Sequence, residues 1–164
     1  MTRPAVVALR AVIILLGLGV LVGQALLVPA LGTALAEGVF AEQRTSAPPL
    51  PLALVGIALG LCIEVALVAA WVLLGMVSRD AIFSERAFRW VDVIIGAGAA
   101  ATLVLLALDV YWYLVLEPRL DAPGIILVLS AGVALGVTFV LFMAVMRGLL
   151  RAATTMRGEL AEVV

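Results

Sequence analysis

The side chains able to carry chemistry are few in this chain of 164 residues: histidine is absent and Cys62 is the only cysteine. Disulfide relays, paired-thiol redox chemistry and Cys/His zinc or haem centres therefore have no residues to work with. What remains is carboxylates, arginines, hydroxyls and amides. Asp92 and Asp109 fall on one apolar helical run, about 25 Å apart by helical rise, too far to act as a catalytic dyad. No Ser/His pair, metal-ligand set or Gly-rich phosphate loop is present. The expectation is a protein that is not an enzyme and holds no cofactor.

The residue that most needs explaining is Glu64, in the middle of the apolar run 52 to 77. An ionised side chain at membrane depth costs about 3 kcal/mol on insertion scales, so this carboxyl must be paired or neutralised. Gly56, Gly60 and Glu64 follow one helical stripe, which directs the carboxyl toward other helices. Counting from the centre of each apolar run places Gln24, Thr102 and Thr138 within about two residues of the same depth, roughly 3 Å along the axis. The expected site is a buried polar cluster in which Glu64, protonated, donates to Gln24 or to a threonine hydroxyl. Asp109 shares a face with Thr102, about 9 Å outward. The plainer reading is interhelical glue, with the threonines bonded to their own helix backbone.

These residues must be positioned by membrane-spanning helices. The chain is 66% hydrophobic and only 13% charged, with a mean hydropathy of +1.31, and a soluble fold of this size could not cover so much apolar surface. Four runs, about 11 to 34, 52 to 77, 90 to 116 and 125 to 147, are long enough to cross a hydrocarbon layer of about 30 Å. No alternating polar-in pattern suggests a barrel. The fold class is therefore all-α, an integral membrane four-helix bundle in one domain, residues 1 to 164, with a cytoplasmic tail at 148 to 164. Arg3 and Arg10 before the first apolar run, with Ala34 and Ala36 after it, also fit a secretory signal, but the run exceeds the 7 to 15 apolar residues usual for one.

There is no lysine, so arginine alone sets orientation. Arg3, Arg10, Arg79, Arg86, Arg89, Arg147, Arg151 and Arg157 fall on one side of this topology, and only Arg44 and Arg119 on the other. The positive-inside rule then puts both termini in the cytoplasm, with a multi-pass location in the cell (inner) membrane. Pro48, Pro49 and Pro51 keep the first outer loop extended before the second span. Tyr111, Trp112 and Tyr113 at the outer end of the third span, and Trp90 at its inner end, read as headgroup anchors. Gly56 and Gly60, Gly132 and Gly136 make small-xxx-small steps, and Gly96, Gly98, Ala99 and Ala100 a smooth patch, all suited to close helix approach.

The charged segment "VSRDAIFSERAFRWVDV", residues 77 to 93, reads as a turn followed by a helix start. Ser84 is placed to cap the third helix, Glu85 suits its positive first turn, and Phe83 and Phe88 occupy the positions of a hydrophobic staple. Arg86 and Arg89 then share a face at headgroup level, within reach of lipid phosphates or of Asp92. The tail "RGLLRAATTMRGELAEVV" repeats Leu149, Ala153, Met156, Leu160 and Val163 at steps of four and three, a short amphipathic extension of the fourth span. Arg79, Ser84, Glu85, Arg86, Arg89, Arg151 and Arg157 form the candidate cytoplasmic interaction face.

A four-span chain with "AIFSERAFRWVDVI" between its second and third spans and an arginine-rich ending resembles the DUF2975 family of uncharacterised bacterial membrane proteins. Phe83, Ser84 and Glu85 match that family's segment, with Ala81 in place of its glycine and Arg86 in place of its asparagine. The resemblance implies a four-helix inner-membrane protein, often encoded beside a small helix-turn-helix regulator, and transfers no catalytic residue. The expected role is sensory, regulatory or interaction-based at the cytoplasmic face. The lipid bilayer is one partner, a helix-turn-helix regulator or another membrane protein a second, and self-association a third; no direct nucleic-acid binding is expected. The alternative is a small oligomeric transporter or channel using Glu64, although small four-span exporters usually carry their key acid in the first span.

Overall fold

The computed structural model describes residues 3–30, 33, 50–77, 85–116 and 123–162, all of them helical. Helix α1 spans Arg3–Val22 and runs on into a π-helical turn at Gly23–Leu27. Helix α2 spans Leu50–Val77. Helix α3 spans Glu85–Tyr111 and ends in a second π-helical turn, Trp112–Leu116. Helix α4 is one continuous helix, Pro123–Glu162. Each contains a segment apolar and long enough to cross a membrane: Val6–Ala30, Ala53–Met76, Arg86–Val115 and Gly124–Ala153. Ser84, Phe83, Arg79, Pro48 and Pro49 lie outside the described residues, whereas Pro51 falls in the first turn of α2 and not in an extended loop before it, a place where its missing N–H costs no hydrogen bond.

The π turn in α1 has a cause in the sequence. Pro29 has no N–H to offer the carbonyl four residues earlier, and its ring crowds that carbonyl. The backbone answers with a wider turn, in which the Val28 N–H reaches back five residues to the Gly23 oxygen. The turn at Trp112–Leu116 likewise precedes a proline, Pro118. Such wide turns re-aim the side chains they carry, and here they carry Gln24 and Trp112.

Helices consecutive in the chain make the main contacts, α1 with α2, α2 with α3 and α3 with α4. Among the described residues, every buried one belongs to α2 or to α3 and its terminal turn: Gly60, Ala69 and Leu74 on the first, Ala87, Ala97, Thr102 and Trp112 on the second. The two inner helices are thus flanked by α1 and α4, whose Leu15, Leu18, Leu127, Leu135 and Phe142 stay exposed. In water such surfaces would drive aggregation; against acyl chains they are the solvated face.

Lipid gives helices no hydrophobic reason to associate, so close approach at small residues has to supply it. Side chains from neighbouring helices occupy the space where a glycine Cβ would stand. Val28 lies over Gly56, its methyl carbons 3.0 and 3.2 Å from the Cβ position, and Gln24 lies over Gly60, its Cδ 2.6 Å away. Between α3 and α4, Phe139 fills the space at Gly98, with Cε1 at 2.9 Å, and Thr102 that at Gly136, with Cγ2 at 3.1 Å. Both pentapeptides of the sequence, "GIALG" and "GVALG", therefore serve one purpose, receiving a side chain from the adjacent helix.

Replacing Gly136 with Ala forces its methyl into Thr102 and is expected to destabilise the bundle by about 1–3 kcal/mol, the usual cost of overpacking. Adding Thr102→Ala removes the obstacle. Thermal unfolding in detergent micelles should show the single variant melting lower and the double variant recovering; a double variant no better than the single contradicts this packing.

Candidate functional site

The π turn aims Gln24 across the bare face of Gly60 at Glu64, and its Nε2 donates to Glu64 Oε1 at 3.1 Å. Glu64 is the acceptor of this bond, so the expected arrangement in which it donates is reversed. The carboxyl is half-buried and borders a groove of about 300 Å³ between α1 and α2 whose other walls are apolar, from Ile13, Gly17 and Leu21 to Leu67, Val68 and Trp71. At the far end of the same helix pair the Arg10 guanidinium stands over the Trp71 ring, 5.4 Å from its centroid, within the range of cation–π attraction.

The two threonines do not join Glu64. Thr102 donates to the Gly98 carbonyl at 2.8 Å and Thr138 to the Ala134 carbonyl at 2.8 Å, each four residues back along its own helix. A threonine hydroxyl in an apolar helix satisfies itself this way with no partner helix required, so the four-residue cluster reduces to the Gln24–Glu64 pair. Thr102 still matters, as the buried side chain that fits against Gly136.

Asp109 also has a different partner. Ser130 of α4 donates to its Oδ2 at 3.0 Å, which binds α3 to α4 instead of extending a track toward Glu64. Beside it Trp112 is 7% exposed, whereas Tyr111 and Tyr113 are 39% and 62% exposed. The headgroup-anchor reading thus suits the two tyrosines but not Trp112, which the wide turn brings inward. At the other end of the same helix pair Arg147 Nη2 donates to Asp92 Oδ2 at 2.7 Å, with Nε beside Oδ1. Asp92 is therefore held by Arg147, and neither Arg86 nor Arg89 takes it. The two interhelical pairs are 17 residues apart on both helices, about 25 Å by helical rise and close to the thickness of a hydrocarbon layer.

Sequence reasoning missed both α3–α4 pairs, although a signal for them existed. Asp109 and Ser130, and likewise Asp92 and Arg147, are equidistant in sequence from the middle of the short segment 117–122. A tight antiparallel hairpin brings such positions level.

Of the expected interaction face, Arg79 and Ser84 lie outside the described residues. Glu85 opens α3. Arg86 and Arg89 are exposed and border a groove of about 460 Å³ with Val72, Met76, Trp90 and Val93. Arg151 is exposed on α4, where it joins Phe88, Arg89, Asp92 and Arg147 around a smaller recess of about 80 Å³. Arg157 falls in the last turns of the α4 backbone. Among the described residues no group of His, Cys, Asp and Glu could hold a metal ion.

Four helices long and apolar enough to span define a multi-pass membrane protein of all-α class. The model of the DUF2975 family, described as a protein of unknown function, matches residues 36–164. The chain belongs to that family. No curated protein and no solved structure matches it significantly. The matched region includes Glu64, Asp92, Asp109 and Arg147 but begins after α1, and so leaves out Gln24.

The Gln24–Glu64 pair invites a double-substitution cycle. Gln24→Leu removes the donor while the carboxyl remains, and is expected to cost about 1–2 kcal/mol, the range for a polar group left unsatisfied. Gln24→Leu with Glu64→Leu removes both polar groups and should recover most of that loss. Unfolding midpoints in micelles measure the coupling, and strictly additive effects contradict the bond.

Proposed function

We propose that this protein is a non-enzymatic inner-membrane protein with a sensory, regulatory or protein-interaction role, exerted at its arginine-rich end, with that end and both termini in the cytoplasm. The observation that supports this most is the length of α4. Its 40 residues extend about 60 Å, roughly twice the thickness of a hydrocarbon layer. The apolar run within it ends at Arg147 in the sequence, while the helix continues to Glu162. The last turns thus form a helical arm in line with a membrane span, and Arg147 ties the base of that arm to α3 through Asp92.

An arm without a break transmits any tilt or rotation of α4 to its far end. A change in how α3 and α4 meet within the bilayer therefore becomes a change in what the arm presents. The partner class that suits this reading is a small helix-turn-helix regulator or another membrane protein, the first on the strength of what commonly neighbours this family. Direct contact with nucleic acid is no part of this reading. Removing residues 154–164 while keeping the spans is expected to abolish capture of the partner from membranes without loss of membrane insertion. Undiminished capture refutes the role of the arm.

A second reading rests on the groove beside Glu64. A carboxyl bordering an apolar groove between α1 and α2 suits a small oligomeric transporter or channel that binds a cation or proton there. Purified protein in liposomes would then carry a proton or solute flux that Glu64→Ala removes; equal flux from both proteins, or from neither, speaks against it.

A further inference from the structure

The groove between the end of α2 and the start of α3 has an order to its lining. Among the described residues it is lined on α3 by Arg86, Arg89, Trp90 and Val93, in order from the helix start inward, and on α2 by Met76 near the helix end and Val72 one turn deeper. Val93 lies one turn further into the membrane than Arg89, about 6 Å along the axis. Along α3 two guanidinium groups, an aromatic ring and an apolar side chain thus succeed one another inward, the same sequence as headgroup phosphate, glycerol and acyl chain in a phospholipid, while α2 lines the facing wall with Met76 and Val72. Trp90 is half-buried between the two regions, where an amphipathic ring is at home.

Among the described residues the two arginines have no anionic partner. The ion pair at this end of the molecule joins Arg147 to Asp92, and neither Arg86 nor Arg89 makes an ion pair or hydrogen bond among the described residues. Two guanidinium groups at a three-residue spacing sit on one face of the helix and reach the oxygens of one phosphate together. Both project from the first turns of α3, where the amide dipoles also favour negative charge.

We propose that this groove is a binding site for an anionic phospholipid of the adjacent leaflet, its phosphodiester held by Arg86 and Arg89 beside Met76, and its glycerol and upper acyl chain lying on Val72 and Val93. A volume of about 460 Å³ suits a headgroup with its glycerol and is too small for whole acyl chains, which continue into the bilayer. A headgroup bearing choline or ethanolamine brings its own cation against the two guanidinium groups and loses part of the attraction. A free phosphate gains nothing from the apolar lining. Among the described residues the lining comes from α2 and α3 and none from α4.

The test uses the full chain in micelles, titrated separately with phosphatidylglycerol, with phosphatidylcholine of the same acyl chains, and with inorganic phosphate. The unfolding temperature is the readout. Phosphatidylglycerol should raise it, phosphatidylcholine and phosphate much less. Arg86→Gln with Arg89→Gln should weaken the apparent affinity for phosphatidylglycerol about tenfold, a loss equivalent to one charge-assisted contact. Arg151→Gln removes a charge from the same face outside the groove and should leave the affinity within about twofold, as expected of a screened surface charge. Equal weakening by Arg151→Gln reduces the effect to general surface charge and overturns the site. Equal stabilisation by phosphate overturns the lipid as its occupant. Should the double variant not fold, native mass spectrometry of the unaltered chain decides: phosphatidylglycerol retained through delipidation over phosphatidylcholine supports the site, and indifferent retention overturns it.

Discussion

Because acyl chains are as apolar as leucine, the helices of this protein gain nothing by hiding apolar surface from their surroundings. Everything in the arrangement depends instead on glycines that let one helix admit a side chain from the next. Gly56 and Gly60 admit Val28 and Gln24; Gly98 and Gly136 admit Phe139 and Thr102. These contacts set the antiparallel registers of the α1–α2 and α3–α4 pairs, and dispersion between surfaces in such close contact replaces the missing hydrophobic term. The inner position of α2 and α3 follows from the same cause, since each meets two neighbours while α1 and α4 turn their large apolar side chains to lipid.

Polar pairs are added to this frame at separate depths. Gln24 meets Glu64 within α1–α2, and Ser130–Asp109 and Arg147–Asp92 hold α3–α4 near its two ends. Within an apolar medium a lone carboxyl is costly and a paired one is tolerable, so each pair restricts sliding along the axis more than it adds to affinity between helices. Pro29 contributes indirectly, because the wide turn before it directs Gln24 across Gly60. One residue that cannot donate a hydrogen bond thereby helps to place another that must.

The charged end of the molecule divides its arginines among distinct tasks. Arg10 covers Trp71, Arg147 engages Asp92, and Arg86 and Arg89 face the groove at the base of α3. A membrane protein without lysine uses guanidinium for each, and the planar fork suits stacking, bidentate carboxylate pairing and phosphate capture alike. The α4 arm rises from this same end of the bundle.

Composition and periodicity alone determined that the chain is helical and membrane-spanning, since runs of some twenty apolar residues admit no other way to satisfy the backbone. The level shared by Gln24 and Glu64 was legible as well, because helical rise converts residue count into depth. The partners of Thr102, Thr138, Asp109 and Asp92 were not read from the sequence. A threonine has its own carbonyl within reach, and a carboxylate near a helix end has several arginines to choose from. Only the tertiary structure decided among them, because which partner is met depends on the rotation of each helix about its axis. The glycine contacts set that rotation, and depth along the chain carries no record of it.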